Sequence, residues 1–167
     1  NSRWSNLFAW VVNNERESLA TRNHQGYHFR EAYGHMDVDI FLEKYSEKML
    51  ACHSCAMHCQ HRFKINEGPF AGTVGEGPEW STPQGFGANV GNLDYGAALM
   101  TLELCNKYGI DMLTYGVYLG WLMHCWQEGV ITEKETGGLN LEWGNQEAMV
   151  TIAEQIAKGE GLGAKIS

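Results

Sequence analysis

The chain has 167 residues, 44% of them hydrophobic and only 19% charged, and its formal net charge of −8 comes without any run of Lys and Arg. That length suits one domain with a real core, and the acidic balance excludes nucleic acid as a partner. The longest uncharged run, Met112 to Gln127, is too short to span a bilayer and includes His124, so it reads as a buried helix; no signal-peptide pattern follows Asn1.

The stretch Asn1 to Gly34 reads as irregular, with turn residues at Asn13-Asn14 and from Asn23 to Gly26. A helix is predicted from about Asp37 to Met49, capped by Asp37 or Asp39, with Leu42, Tyr45 and Met49 on one face. Beyond the cysteine-rich segment, Arg62 to Ile65 and Phe70 to Val74 read as short strands joined by Asn66-Glu67-Gly68-Pro69. Gly75 to Gly91 reads as a long Gly/Pro loop, a feature that is often functional. Helices then dominate. One runs from an Asp94 cap to about Lys107 with Ala98, Leu102 and Cys105 inward. The next runs from an Asp111 cap to about Glu128 with Tyr115, Leu119, Leu122 and Trp126 on one face. The last spans Asn145 to Lys158 with Met149, Ile152 and Ile156 inward. The predicted fold class is mostly α: an irregular helical domain with a small β element and the long loop. We divide it into a part bearing the cysteines (1–61), a strand and loop insert (62–93) and a helical part (94–167).

Five cysteines, three of them packed into Cys52-His53-Ser54-Cys55-Ala56-Met57-His58-Cys59, point to metal binding in a reducing compartment, the cytoplasm. The spacing C-x2-C-x3-C lets closely spaced thiolates reach separate irons of one iron–sulfur cube. A fourth ligand would come from Cys105, Cys125 or a segment outside the chain, although both lone cysteines also read as small core residues. The same spacing equally suits a zinc site completed by His53, His58 or His61, and Cys52 with Cys55 forms a redox-type pair. A c-type haem is unsupported, since no Cys-x-x-Cys-His occurs.

Two further segments carry candidate chemistry. Gly75-Glu76-Gly77-Pro78-Glu79-Trp80 sets two carboxylates in a glycine-proline loop, which either holds a Glu for proton transfer or is a solvated turn. Asn106-Lys107-Tyr108-Gly109-Ile110-Asp111 is a helix C-cap followed by an N-cap, and such a junction can also face a polar heterocycle.

These segments, in order, resemble the middle of the aldehyde ferredoxin oxidoreductase family. Ala20-Thr21-Arg22-Asn23 is similar to its Pro-Thr-Arg-Asn stretch, and Phe41 to Tyr45 precede the cysteines as a similar helix does there. Gly77-Pro78-Glu79-Trp80 resembles Gly-Pro-Glu-Tyr, and Leu104 to Asp111 resembles Leu-Cys-Asp-x-Tyr-Gly-Leu-Asp. Asn89-Val90-Gly91, Leu93-Asp94, Gly144-Asn145 and Gly161-Leu162-Gly163 also fit.

The resemblance implies an enzyme that oxidises aldehydes to carboxylic acids. It implies a tungsten or molybdenum bis-pterin beside a 4Fe-4S cluster, and electrons leaving to ferredoxin or another electron-transfer subunit. It implies Cys52, Cys55 and Cys59 as cluster ligands, Asn106, Gly109 and Asp111 as pterin-side residues, and Glu79, then Glu76, near the metal. Asn106 stands where the family has an aspartate, and Trp80-Ser81 replace a common Tyr-Glu. The chain is also much shorter than the family pattern, lacking an amino-terminal sheet domain and the part carrying a fourth cysteine. We therefore expect a fragment that packs on the rest of its own subunit, with a homo-oligomer left open. Reduction of an aromatic acyl-CoA within the same family, a zinc-stabilised structural or binding module, and a subunit holding only the cluster are the alternatives.

Overall fold

The structure, a computed structural model, describes residues 4–166. Its elements run α1 (Phe8–Glu15), α2 (Val38–Lys44), β1 (Ser46–Leu50), β2 (Gln60–Lys64), β3 (Val74–Gly77), α3 (Ser81–Gly85), α4 (Tyr95–Tyr108), α5 (Met112–Gln127), α6 (Glu133–Thr136), α7 (Gln146–Lys158) and α8 (Gly163–Ile166), with short 3-10 turns at Ser5–Leu7, Arg30–Ala32 and Ala88–Val90. The fold is mostly helical with one small sheet, as the periodicity predicts.

Local capping sets the three long helices. Asp94 accepts from the Ala97 N–H at 2.8 Å, Asp111 from the Thr114 N–H at 2.7 Å and Asn145 from the Ala148 N–H at 3.1 Å. Each satisfies an amide that has no acceptor within its helix. Gly109 and Gly159 close α4 and α7 in the left-handed conformation. Helix α4 packs on α7, and the Tyr115 hydroxyl on α5 donates to the Met149 carbonyl on α7. One apolar core results, running from Leu7 through Leu99 and Leu119 to Leu162.

Helix α5 is apolar on both faces. Tyr115, Leu119 and Leu122 are buried, while Leu113, Val117 and Trp121, four residues apart, are 56%, 63% and 47% exposed. On the buried side, Gly116 and Gly120 admit neighbours that a side chain would push away. A Cβ on Gly116 would lie 3.1 Å from the Gly85 Cα of α3, and one on Gly120 would strike the Asn89 side chain. Asn89 fills that space and donates to the Gly116 carbonyl at 2.8 Å. No described helix is long and apolar enough to cross a membrane.

The structure corrects four sequence expectations. The helix expected over Asp37 to Met49 ends at Lys44, because Ser46–Leu50 forms an antiparallel ladder with Gln60–Lys64; Val38 and Phe41 carry the burial, and Leu42, Tyr45 and Met49 are only half-buried. The strand expected over Phe70 to Val74 is displaced to Val74–Gly77. Residues 66–72 form a wide turn, closed by the Ile65 N–H on the Thr73 carbonyl and the Gly72 N–H on the Ile65 carbonyl. The long loop expected over Gly75 to Gly91 is divided among the end of β3, α3 and a 3-10 turn, and most of residues 81–90 are buried. The irregular opening stretch contains α1, whose Trp10 lies in the core; its first three residues fall outside the described chain.

Candidate functional site

The cysteine segment is the loop joining β1 to β2, tied at its base by the Leu50–Gln60 pair. The Cys55 N–H donates to the Cys52 carbonyl at 3.0 Å, forming a tight turn across the first pair. Ser54 and His58, directly before Cys55 and Cys59, both take positive φ, 58° and 47°. Cys52 is exposed, Cys55 and Cys59 are half-buried, and all three are free thiols. Among the described residues no three His, Cys, Asp or Glu side chains converge on a point ready for a metal. The donor set nonetheless fits a thiolate-bound metal centre: three thiols on one loop whose residues 51–59 include no carboxylate. His61 is turned into the core, where Nδ1 hydrogen-bonds the Ser46 hydroxyl at 2.8 Å and the ring meets Phe41 edge-on at 5.3 Å. Burial lowers its pKa, and its Nε2 is buried without a partner, so it belongs to the core packing.

A cleft of about 740 Å³ opens beside this loop, lined by β2, β3, the carboxy-terminal half of α4 and the start of α5. It gathers Glu76, Glu79, Asn106 and Asp111, four of the residues singled out in the sequence, from separate elements. Gln60, next to Cys59, also lines it and joins the cleft to the cysteine loop.

Each side chain is placed by its element. The strand β3 holds Glu76, exposed, between two buried glycines. Those glycines let α4 cross close above the strand: a Cβ on Gly75 would strike Glu103 and Phe63, and one on Gly77 would lie 2.7 Å from Leu102. The chain then passes a cis Gly77–Pro78 peptide to the half-buried Glu79 and into α3. Asn106, exposed on the last turn of α4, donates from Nδ2 to the Glu76 carbonyl at 3.2 Å and so pins β3 to the helix. Asp111 is held below the usual carboxylate range by the hydrogen bonds of its Thr114 cap. Gly109 is the helix terminator between them and does not line the cleft.

Two cleft residues, Glu103 and Arg62, escaped the sequence reading. Glu103, half-buried, has a carboxyl raised by burial, pulled back by Lys107 and raised further by Glu76. It lies three residues before Asn106 and four before Lys107, so helical spacing on α4 was the available signal. Arg62 alternates with the buried His61 and Phe63 on β2, a period-two signal, and pairs with Glu47 on β1 at 3.1 Å. Cys105, by contrast, is a core residue: burial first, and Asp111 second, push its thiol up to about 12.

Among solved structures, the fold is similar to a chain of the active site complex BamBC of benzoyl coenzyme A reductase in complex with 1,5-dienoyl-CoA, with a TM-score of 0.69 and 15% identity over 93% of this chain and 22% of that one. The sequence carries the relationship further. A family model described as aldehyde ferredoxin oxidoreductase, domains 2 and 3, matches residues 6–167, and the chain belongs to that family. A tungsten-containing aldehyde ferredoxin oxidoreductase of Thermococcus kodakarensis is 30% identical over 155 residues, 92% of this chain and 25% of that protein. Its namesake in Pyrococcus furiosus is 29% identical over the same shares. The WOR-like subunit of an aliphatic sulfonate oxidoreductase, also from Pyrococcus furiosus, is 26% identical over 92% of this chain and 24% of that subunit. The chain thus spans about a quarter of the length of the curated relatives it matches.

Proposed function

We infer that the chain is the central segment of a longer tungsten- or molybdenum-pterin oxidoreductase that oxidises an aldehyde to a carboxylic acid and delivers the electrons to ferredoxin. The observation that carries this reading is the cleft itself, which draws Glu76, Glu79, Asn106 and Asp111 together beside the cysteine loop. Aldehyde and water give carboxylate, three protons and two electrons, so the site must take up protons and pass electrons on. A metal-pterin bound in the cleft would supply the two-electron chemistry, and an iron–sulfur cluster would supply one-electron transfer.

This chain's residues do the rest. Cys52, Cys55 and Cys59 would hold the cluster, with the fourth ligand from elsewhere in the subunit. Asn106, whose amide nitrogen is engaged by the Glu76 carbonyl, presents its oxygen to a pterin donor. Asp111, with one oxygen on the Thr114 N–H, accepts with the other, and Gly109 gives the backbone turn between them. Half-buried Glu79 takes the proton from water or substrate, and Glu76 on β3 is the second candidate. A second reading, low-potential reduction of an aromatic acyl-CoA, is favoured by the exposed indole of Trp80 beside Glu79, which offers a face for a ring.

Metal analysis of the native protein, isolated without oxygen, tests the assignment. Iron together with tungsten or molybdenum is expected. Stoichiometric zinc without iron would overturn it. Assays with aldehydes and with aromatic acyl-CoA then separate the two readings.

A further inference from the structure

Three consecutive side chains near the start of the described chain reach three separate segments. Trp4 Nε1 donates to Asp39 on α2 at 3.1 Å, the Ser5 hydroxyl donates to the Cys59 carbonyl, and Asn6 Oδ1 accepts the Trp80 N–H at 3.3 Å. The partners lie 35, 54 and 74 residues along the chain, so none of these is a local turn contact. Ser5 takes a φ of 55°, which a non-glycine residue keeps only where its surroundings over-determine it. Its hydroxyl oxygen also accepts the Asn6 N–H at 2.6 Å, so the dipeptide is pinned both within itself and to its partners.

The two distant partners sit at the ends of the two segments that carry the chemistry. Cys59 is the last thiol of the cysteine loop, and Trp80 directly follows Glu79. The first loop hangs from the β1–β2 hairpin and the second leads into α3, so each belongs to a different element. Segments on separate elements open independently unless something joins them. We propose that Ser5 and Asn6 form a clasp that fixes the cysteine loop relative to Glu79, making both of them positioning residues. What the two loops hold rests on the reading given above. A reaction that removes protons at one and electrons at the other depends on their separation, and small misplacements are costly.

Hydrogen exchange on the complete protein tests the clasp, comparing wild type with Ser5→Ala, Asn6→Ala and Asn6→Asp. Either alanine variant should speed exchange about fivefold in both segments, 52–59 and 79–82, the size expected for one lost hydrogen bond. Asn6→Asp keeps the acceptor and should restore the wild-type rate. In turnover, Asn6→Ala should lower kcat about tenfold with KM within about twofold, and Asn6→Asp should recover it. If Ser5→Ala loosens only the cysteine segment, the two contacts are independent and the clasp is overturned. Coupled exchange with an unchanged kcat in Asn6→Ala overturns the positioning role. Failure of the functional reading itself shows separately, as wild-type protein without iron and without tungsten or molybdenum.

Discussion

The carboxylate of Glu103 on α4 lies against the backbone of Gly75 on β3, so closely that a methyl group on that glycine would clash with Oε2. The buried Phe63 ring presses on the same point from β2. Gly75→Ala should therefore displace a cleft carboxylate and a core ring together. We expect a loss of about 1–3 kcal/mol, the usual cost of overpacking, read from urea unfolding of the intact protein; unchanged stability would mean that strand and helix have room to part.

The same crowding gives Glu103 a pH signature. Burial raises its carboxyl above the usual 4.5, so between those two values the folded state holds more of the proton than the unfolded state does. The stabilisation is fully present below the unfolded value and is lost as pH climbs through the folded one. Glu103→Gln cannot ionise, so the variant should gain on wild type as pH rises from 4.5 toward neutrality. Parallel stability curves for the two proteins would remove Glu103 from this account.

The cysteines divide into two kinds with opposite expected behaviour. Cys55→Ser should abolish the spectroscopic signal of the reduced cluster and lower bound iron. Cys105→Ala should leave the signal intact while costing stability, because that thiol fills the core. Retention of the full signal in Cys55→Ser would sink the ligand assignment.

Glu79→Gln keeps shape and removes the base proposed above. The loss of a positioned proton acceptor is expected to lower kcat by about 10²–10⁴-fold, with iron content unchanged. Full turnover in the variant would pass the role to Glu76 or exclude both.

How much of this was legible beforehand depended on the reach of each interaction. The caps at Asp94 and Asp111 act over three residues, and both were readable; Asn145, read as the first residue of its helix, turned out to be the cap one position before it. Strand β1 was not, because Ser46–Leu50 takes its form from partners across a loop, and its own residues read equally well as the end of a helix. The glycines from Gly75 to Gly91 suggested a loop, but Gly75 and Gly77 instead allow α4 to cross β3, and Gly85 meets Gly116. Glu76, Glu79, Asn106 and Asp111 could be picked out one by one from motifs. Their meeting in one cleft, and the presence there of Arg62 and Glu103, required the tertiary crossing of α4 over the hairpin.

Helix α5 carries a practical consequence. Leu113, Val117 and Trp121 leave a greasy ridge facing water on an otherwise well-capped helix. Produced by themselves, these 167 residues should self-associate along that ridge and partition into the insoluble fraction. Val117→Lys should return much of the material to the supernatant without touching the core, so whoever purifies this piece alone will be handling an adhesive.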